Sequence, residues 1–242
     1  MPVSSSAQLT LLPWLLGWEQ PADRTTFAAG LHAGSCVGLV VALRHDLASL
    51  DRRTAKLVLL TSLPAAVAGI TVQDMVERRF GRPGPTAALL AGAGLLLWAA
   101  DRRPEDGVVG PREAAAAALA QVVALAPGVS RAGATLTVLR AARVRREDAA
   151  RFAVLMSLPV TAGAALRTSL RARTAPRAVP SVLAGVATLA TSVAVDRASR
   201  ALVPAAALYR AGLAAAVAVR LGRAGGKHGS RSGLSSLPCC SL

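Results

Sequence analysis

The chain has 242 residues, 53% hydrophobic and 17% charged, and its 28 Lys+Arg against 13 Asp+Glu give a net charge of +15. A water-soluble domain is nearer roughly 45–50% apolar and about 25% charged, so a single soluble core is excluded. Nucleic-acid binding is excluded too: aromatics are 3% of the chain and none falls in an arginine cluster, whereas nucleic-acid surfaces interleave basic and stacking residues.

The chain opens on Pro2-Val3-Ser4-Ser5-Ser6-Ala7-Gln8-Leu9, three serines beside a proline that lead into an apolar stretch. Stretches without Asp, Glu, Lys or Arg follow at 25–43, 57–73, 83–100 and 114–130. Others lie at 152–166 and 178–195, and at 201–219 with the single interruption of Arg210. About 20 mostly apolar residues, with about 17 tolerated, span the hydrocarbon, so these runs predict an all-α integral membrane protein of roughly seven to nine helical segments. The basic residues fall mainly between the runs: Arg44, Arg52, Arg53 and Lys56; Arg140, Arg143, Arg145 and Arg146; Arg167, Arg171, Arg173 and Arg177. In that position they are expected to meet anionic headgroups and set topology. The basic residues of 44–56 and 101–113, weighed against those of 19–25 and 73–83, lean toward the first pair of gaps being cytoplasmic.

A second irregular segment is Ala126-Pro127-Gly128-Val129-Ser130-Arg131-Ala132-Gly133-Ala134-Thr135. Pro and Gly break a helix emerging from 114–125, and Ser-Arg-Ala-Gly restarts one toward Leu139. Broken backbone at membrane depth is tolerated only where it lines a cavity or is enclosed by protein. Both irregular segments therefore predict re-entrant turns whose following helix presents its N-terminus to a cavity. Unpaired N–H groups and the positive end of the macrodipole favour an anion there, phosphate above all. Gly128 and Gly133 permit close approach of the backbone, and Arg131 adds a permanently charged planar fork. Ser4, Ser5, Ser6, Ser130 and Thr135 supply hydroxyls that donate to phosphate oxygens, and one could attack phosphorus. Packing or N-capping accounts equally for the serine cluster on its own, but packing leaves the arginine unexplained. Arg210 reads either as a structural residue, snorkelling or pairing, or as a second cation of the same kind.

A weak internal repeat supports two halves. Leu60-Thr61-Ser62-Leu63-Pro64 resembles Leu155-Met156-Ser157-Leu158-Pro159, and a Pro-Ser turn precedes each copy, at Pro2 and at Pro127. Paired broken segments point to a central binding site of transporter type, which keeps a lipid flippase as an alternative. Cys36 lies in an apolar run and Cys239 and Cys240 adjoin one another, so no metal spacing or disulfide framework results. Residues 222–242 are Gly/Ser-rich and basic and are expected to be disordered, leaving 1–221 as one polytopic domain.

At these motifs the chain resembles the bacterial undecaprenyl-diphosphatases, also called bacitracin-resistance proteins. The family's Pro-Gly-x-Ser-Arg-Ser-Gly-x-Thr stands as Pro127 to Thr135 with Ala132 in place of Ser. The end of its first motif stands as Pro2-Val3-Ser4-Ser5-Ser6-Ala7-Gln8. Ala149-Ala150-Arg151-Phe152 with Leu155 to Pro159, and Pro204 to Arg210, are similar to its later stretches. The resemblance implies a membrane phosphatase that removes the terminal phosphate of undecaprenyl diphosphate, regenerating the lipid carrier for peptidoglycan assembly and conferring bacitracin resistance. It implies a multi-pass protein of the bacterial cell membrane, a polytopic bundle with inverted repeats, two re-entrant helix-turn-helix segments and a site opening to the outer face, homo-oligomeric or not. Arg131, Ser5 and Ser130 are the implied catalytic residues, and Ser4, Ser6, Gly128, Gly133 and Thr135 the implied diphosphate contacts.

The resemblance also implies a divalent cation, Mg or Ca, held by a Glu-x-x-x-Glu helix before the first motif. This sequence starts at Met1-Pro2, so neither glutamate is in it, and the family histidine falls on Gln8. Glutamine hydrogen-bonds but does not act as acid or base near neutral pH. Glu19 and Asp23 lie beyond the first apolar stretch, and Glu147 and Asp148 are expected in a loop. His32, His45 and His228 do not match the family histidine. Either the start lies too far downstream and the whole protein carries the extra helix, or the chain is a degenerate homologue that binds lipid diphosphate without turning it over.

Overall fold

The computed structural model describes residues 4–18, 24–171, 182–183, 185–187, 190 and 199–229. Among these the chain is helical, with one isolated bridge between Gly107 and Val144 as its extended pairing. The helices are α1 (Ser5–Leu16), α2 (Arg24–Ala42), α3 (Arg44–Ala48), α4 (Arg52–Thr71), α5 (Gln73–Phe80), α6 (Pro83–Ala100), α7 (Pro111–Val123), α8 (Arg131–Ala141), α9 (Arg146–Arg171) and α10 (Ser199–Gly229).

Their boundaries follow local chemistry. Asp51 caps α4 by accepting from the Arg53 and Thr54 amides at 2.9 and 3.0 Å. Pro111 opens α7, with Glu113 reaching back to the Gly110 amide at 3.0 Å. The repeated Leu-x-Ser-Leu-Pro falls inside α4 and α9. In both copies the serine bonds its own helix, Ser62 to the Val58 carbonyl at 2.7 Å and Ser157 to that of Val154 at 2.6 Å.

Helices α4 and α6, residues 146–167 of α9 and residues 203–223 of α10 are long and apolar enough to cross a membrane, and residues 30–42 of α2 form a shorter apolar stretch. Large apolar side chains stand exposed on their outer faces, Leu59, Leu63, Val67 and Ile70 on α4 and Leu95 and Leu96 on α6. A continuous apolar exterior of that kind belongs in lipid, so the protein is an all-α integral membrane protein. Three helices fall short. At ~1.5 Å per residue, the 12, 13 and 11 residues of α1, α7 and α8 cover about half of a ~30 Å hydrocarbon core. The charge-free run 114–130 is thus a half-helix, α7, and a turn that leads into a second half-helix, α8, as its Pro-Gly break predicts. Most of the run 178–195 lies outside the described residues. Helix α10 reaches Gly229, past residue 221, and 230–242 lie outside the described residues.

Helix α6 is the common support, packing against α10, α8 and α1, while α9 packs against α2, α8 and α4. One apolar cluster joins Leu39, Leu43, Val58, Leu136, Leu139, Phe152, Leu155 and Met156; a second joins Ala7, Leu11, Ala87, Leu90, Leu213 and Val217.

The arginines between runs correct one expectation. Arg140 is fully buried, and its Nε donates to Asp101 Oδ1 at 3.2 Å. Its two Nη atoms donate to the carbonyls of Val144, Asp101 and Arg103 at 2.5, 3.0 and 2.6 Å. Arg146 joins the same carboxylate at 2.9 Å and Glu105 at 3.0 Å. These two residues therefore tie the α6–α7 loop to α8 and α9 rather than reaching for headgroups. Arg151 pairs with Asp46 at 2.7 Å, which brings 44–56 to the same end of the bundle as 101–106; Arg167 pairs with Asp74 at 2.7 Å on α5.

Candidate active site

Both irregular segments fold as half-helices that begin on a serine with left-handed backbone. Ser4 caps α1 with φ 62° and Ser130 caps α8 with φ 67°. Positive φ at a non-glycine residue is strained by about 1–3 kcal/mol and concentrates at functional sites. The two segments thus match in backbone conformation as well as in sequence. Ser4 is buried with its Oγ 3.4 Å from that of Ser6, while Ser5 and Ser6 are exposed. Ser130 Oγ accepts the Gly133 amide at 3.3 Å, so one of its lone pairs is committed to the cap.

The glycines are needed where they stand. Gly128 has φ +106°, and a Cβ there would lie 2.5 Å from the Thr86 carbonyl oxygen and 3.0 Å from the Leu90 nitrogen. The broken turn is thus seated backbone to backbone on α6. At Gly133 a Cβ would meet Ser130 Cβ at 3.2 Å and Arg210 Nη2 at 3.4 Å. Thr135 is buried one turn further along α8.

Helix α10 brings the two segments together through adjacent residues. Gln8 Nε2 donates to the Tyr209 hydroxyl at 3.2 Å. Arg210 Nη2 donates to the carbonyls of Gly128 and Val129 at 3.2 and 2.8 Å. Of the readings open for Arg210, the structural one is realised: the side chain is fully buried and holds the broken turn. Its Nε and Nη1 are buried and find no hydrogen-bond partner among the described residues. Lower on the same helix, Arg220 lies over the Trp14 ring at 4.9 Å and donates to the Trp14 and Leu15 carbonyls, closing the C-terminal end of α1.

Arg131 is the first residue of α8, partly exposed, and no hydrogen bond or ion pair ties it to another described residue. Unlike Arg140 it has neither a carboxylate nor a carbonyl among the described residues. It stands at a helix start, beside the positive end of the helix dipole, and both features favour an anion with several oxygens.

The donor set does not suit a free cation. Among the described residues no group of three or more His, Cys, Asp or Glu could hold a metal, and the charged groups around the α8 start are arginines. Glu147 and Asp148 belong to the first turn of α9, not to a loop, and both pair with Arg145 at 3.9 and 3.8 Å. Glu19 and Asp23 lie outside the described residues. The described residues alone therefore do not make the cation site that the resemblance implies.

Two residues were missed in the sequence. Gln121 is buried on α7 with its Oε1 unpaired among the described residues. His32 on α2 interacts electrostatically with Arg131. A histidine inside a charge-free run was the available signal for the second, since ionisable residues at membrane depth are expensive and functional by default.

The family model described as bacitracin resistance protein BacA matches residues 1–219. The undecaprenyl-diphosphatase of Geobacter metallireducens is 39% identical over 186 residues, 69% of this chain and 68% of that protein. That of Geobacter sulfurreducens is 40% identical over 186 residues with the same coverage. That of Gemmatimonas aurantiaca is 35% identical over 213 residues, 79% of each chain.

Proposed function

We infer the function from one premise: the chain belongs to the bacitracin resistance protein BacA family. It is an undecaprenyl-diphosphatase, a membrane hydrolase that cleaves undecaprenyl diphosphate to undecaprenyl phosphate and phosphate. The observation that carries the reading to particular residues is Arg131, a cation without a hydrogen-bonded or ionic partner among the described residues, at the start of a half-helix.

Phosphoryl transfer asks the protein mainly for positioning and charge stabilisation. In this reading the diphosphate sits at the α8 N-terminus, with Arg131 and the first amides of α8 holding its oxygens as charge shifts toward the leaving group. Arg210 keeps the broken turn in register. Ser4, Ser6, Gly128, Gly133 and Thr135 shape the diphosphate site. Ser5 or Ser130 supplies the attacking hydroxyl or orients a water. Ser5 occupies at α1 the position that Arg131 occupies at α8, the first residue after a left-handed serine.

Orientation follows from the ion pairs. The end bearing 44–56 and 101–113 carries Arg44, Arg52, Arg53, Lys56, Arg102, Arg103 and Arg112, against Arg78, Arg79, Arg82 and Arg167 at the end of the Arg167–Asp74 pair, and on the positive-inside rule we place the first end in the cytoplasm. Arg131, at the other end of α8, then faces the outer side of the bacterial cell membrane.

Phosphate release from undecaprenyl diphosphate by the detergent-solubilised protein tests the function. The expected result is one phosphate per lipid consumed, with undecaprenyl phosphate as the lipid product. Lipid that binds or crosses proteoliposome leaflets with no phosphate released would instead identify a carrier.

A further inference from the structure

Among the described residues of the two motifs no side chain serves as a proton acceptor, because Gln8 cannot titrate and serine is a weak nucleophile without an adjacent base. We propose that His32 is the general base of the phosphoryl transfer, taking the proton of the oxygen that attacks the terminal phosphorus. The proposal rests on the phosphatase reading above.

The two faces of α2 have different surroundings. Ala33, Gly34, Val37, Gly38 and Val41 line an apolar groove with Val182, Gly185 and Val186. A Cβ on Gly38 would lie 2.4 Å from the Gly185 carbonyl oxygen, so that face is closed by backbone contact. His32, Ser35, Cys36, Leu39 and Leu43 recur at helical spacing on the opposite face. Leu39 and Leu43 are buried there in the cluster that holds Leu136 and Leu139 of α8 with Phe152, Leu155 and Met156 of α9. His32 therefore points to the bundle interior, toward the helix that begins with Arg131. At ~1.5 Å per residue, His32 lies about 10 Å back from Leu39 along α2, and Arg131 about 8 Å back from Leu136 along α8. The charge of Arg131 is felt at the imidazole.

The other groups near this face are few. The part of α9 packed on α2, residues 152–166, carries no charge; Arg151 and Arg167 at its two ends are paired with Asp46 and Asp74. Residues 182–187 carry no charge. Cys36 is the other titratable group on this face of α2, and Arg44, His45 and Asp46 lie on α3 beyond its far end. Among the described residues Arg131 is thus the charged neighbour, and a substrate phosphate held by Arg131 comes within the reach of His32.

A neutral imidazole offers one acceptor nitrogen. In the proposed step a lone pair of the attacking hydroxyl oxygen forms the new bond to the terminal phosphorus. The bridging P–O bond breaks, and its electron pair leaves on undecaprenyl phosphate. The hydroxyl proton passes to His32, which returns it to the leaving phosphate. With water as nucleophile the products are undecaprenyl phosphate and inorganic phosphate. With a serine hydroxyl, His32 next takes a proton from the water that cleaves the phosphoserine and returns it to the serine oxygen.

Phosphate release from undecaprenyl diphosphate, measured on the full chain across the pH range of imidazole titration, tests this with His32→Gln and His32→Ala. Loss of a general base is expected to lower kcat by about 10²–10⁴-fold with KM within about twofold. The acid-side fall of the wild-type pH–rate profile should vanish in His32→Gln, and added imidazole should restore part of the activity of His32→Ala. A kcat within about threefold of wild type, with the acid limb kept, overturns the proposal and leaves the phosphatase reading intact. A kcat loss that imidazole does not rescue, together with lost retention of methylene diphosphonate, would make His32 structural and also overturns it. A wild-type protein that releases no phosphate removes the phosphatase reading itself, and the proposal with it.

Discussion

Arg131 and Arg140 stand at opposite ends of the same short helix, and their surroundings are opposite too. Arg140 is fully buried, and its Nε and both Nη atoms donate to Asp101 or to backbone carbonyls. Arg131 has no hydrogen-bonded or ionic partner among the described residues. A buried arginine closed by carboxylate and carbonyls is part of the scaffold, and removing one partner strands a charge. An arginine left open at a helix N-terminus, beside a strained turn, is arranged for an anion that arrives from outside. Arg210 lies between these cases, with one nitrogen bound to the broken turn and two without partners among the described residues.

This contrast separates stability from activity. Arg131→Ala should show the largest catalytic effect, lowering kcat/KM by about 10³-fold or more, as for other arginines that stabilise a transferring phosphoryl group. Asp101→Asn should do the reverse: about 3 kcal/mol or more of stability lost by stranding Arg140, seen in the melting temperature, with KM of the folded fraction little changed. Arg210→Met should move both readouts, lowering kcat by about 10²-fold and also the melting temperature, because the turn at Gly128 loses its tether. Gly128→Ala should cost about 1–3 kcal/mol through its positive φ, with activity falling as the turn shifts off α6. Ser6→Ala should have the smallest effect, within about threefold in kcat, since Ser6 is exposed and its hydroxyl touches only that of Ser4 at 3.4 Å. A large stability loss in Arg131→Ala, or none in Asp101→Asn, would break the contrast.

Much of the fold was legible in the sequence because lipid imposes a coarse rule. Charge-free runs within the described residues became helices, and the Pro-Gly break at Pro127 became the turn between α7 and α8. What stayed hidden depends on which helices meet. The Pro-Gly break before Arg131 marks it locally, whereas Arg140 reads as one of a basic cluster with Arg143, Arg145 and Arg146; that it is a buried tie comes from Asp101, which the fold brings in from the end of α6. His32 was passed over because it does not match the family histidine, yet its place on the inner face of α2 is a tertiary fact. Tyr209 and Arg210 were readable as a family-like pair, but only the packed structure makes them the link between Gln8 and the Gly128 turn. The serine cluster was ambiguous between cap and catalyst, and the structure adds that Ser4 matches Ser130 in its positive φ.

The central claim, that the open arginine and not the closed one serves the substrate, is tested most directly by measuring phosphate release from undecaprenyl diphosphate and melting temperature together on Arg131→Ala. The expected result is turnover lowered by about 10³-fold or more at an unchanged melting temperature. Wild-type turnover in that variant would contradict the account.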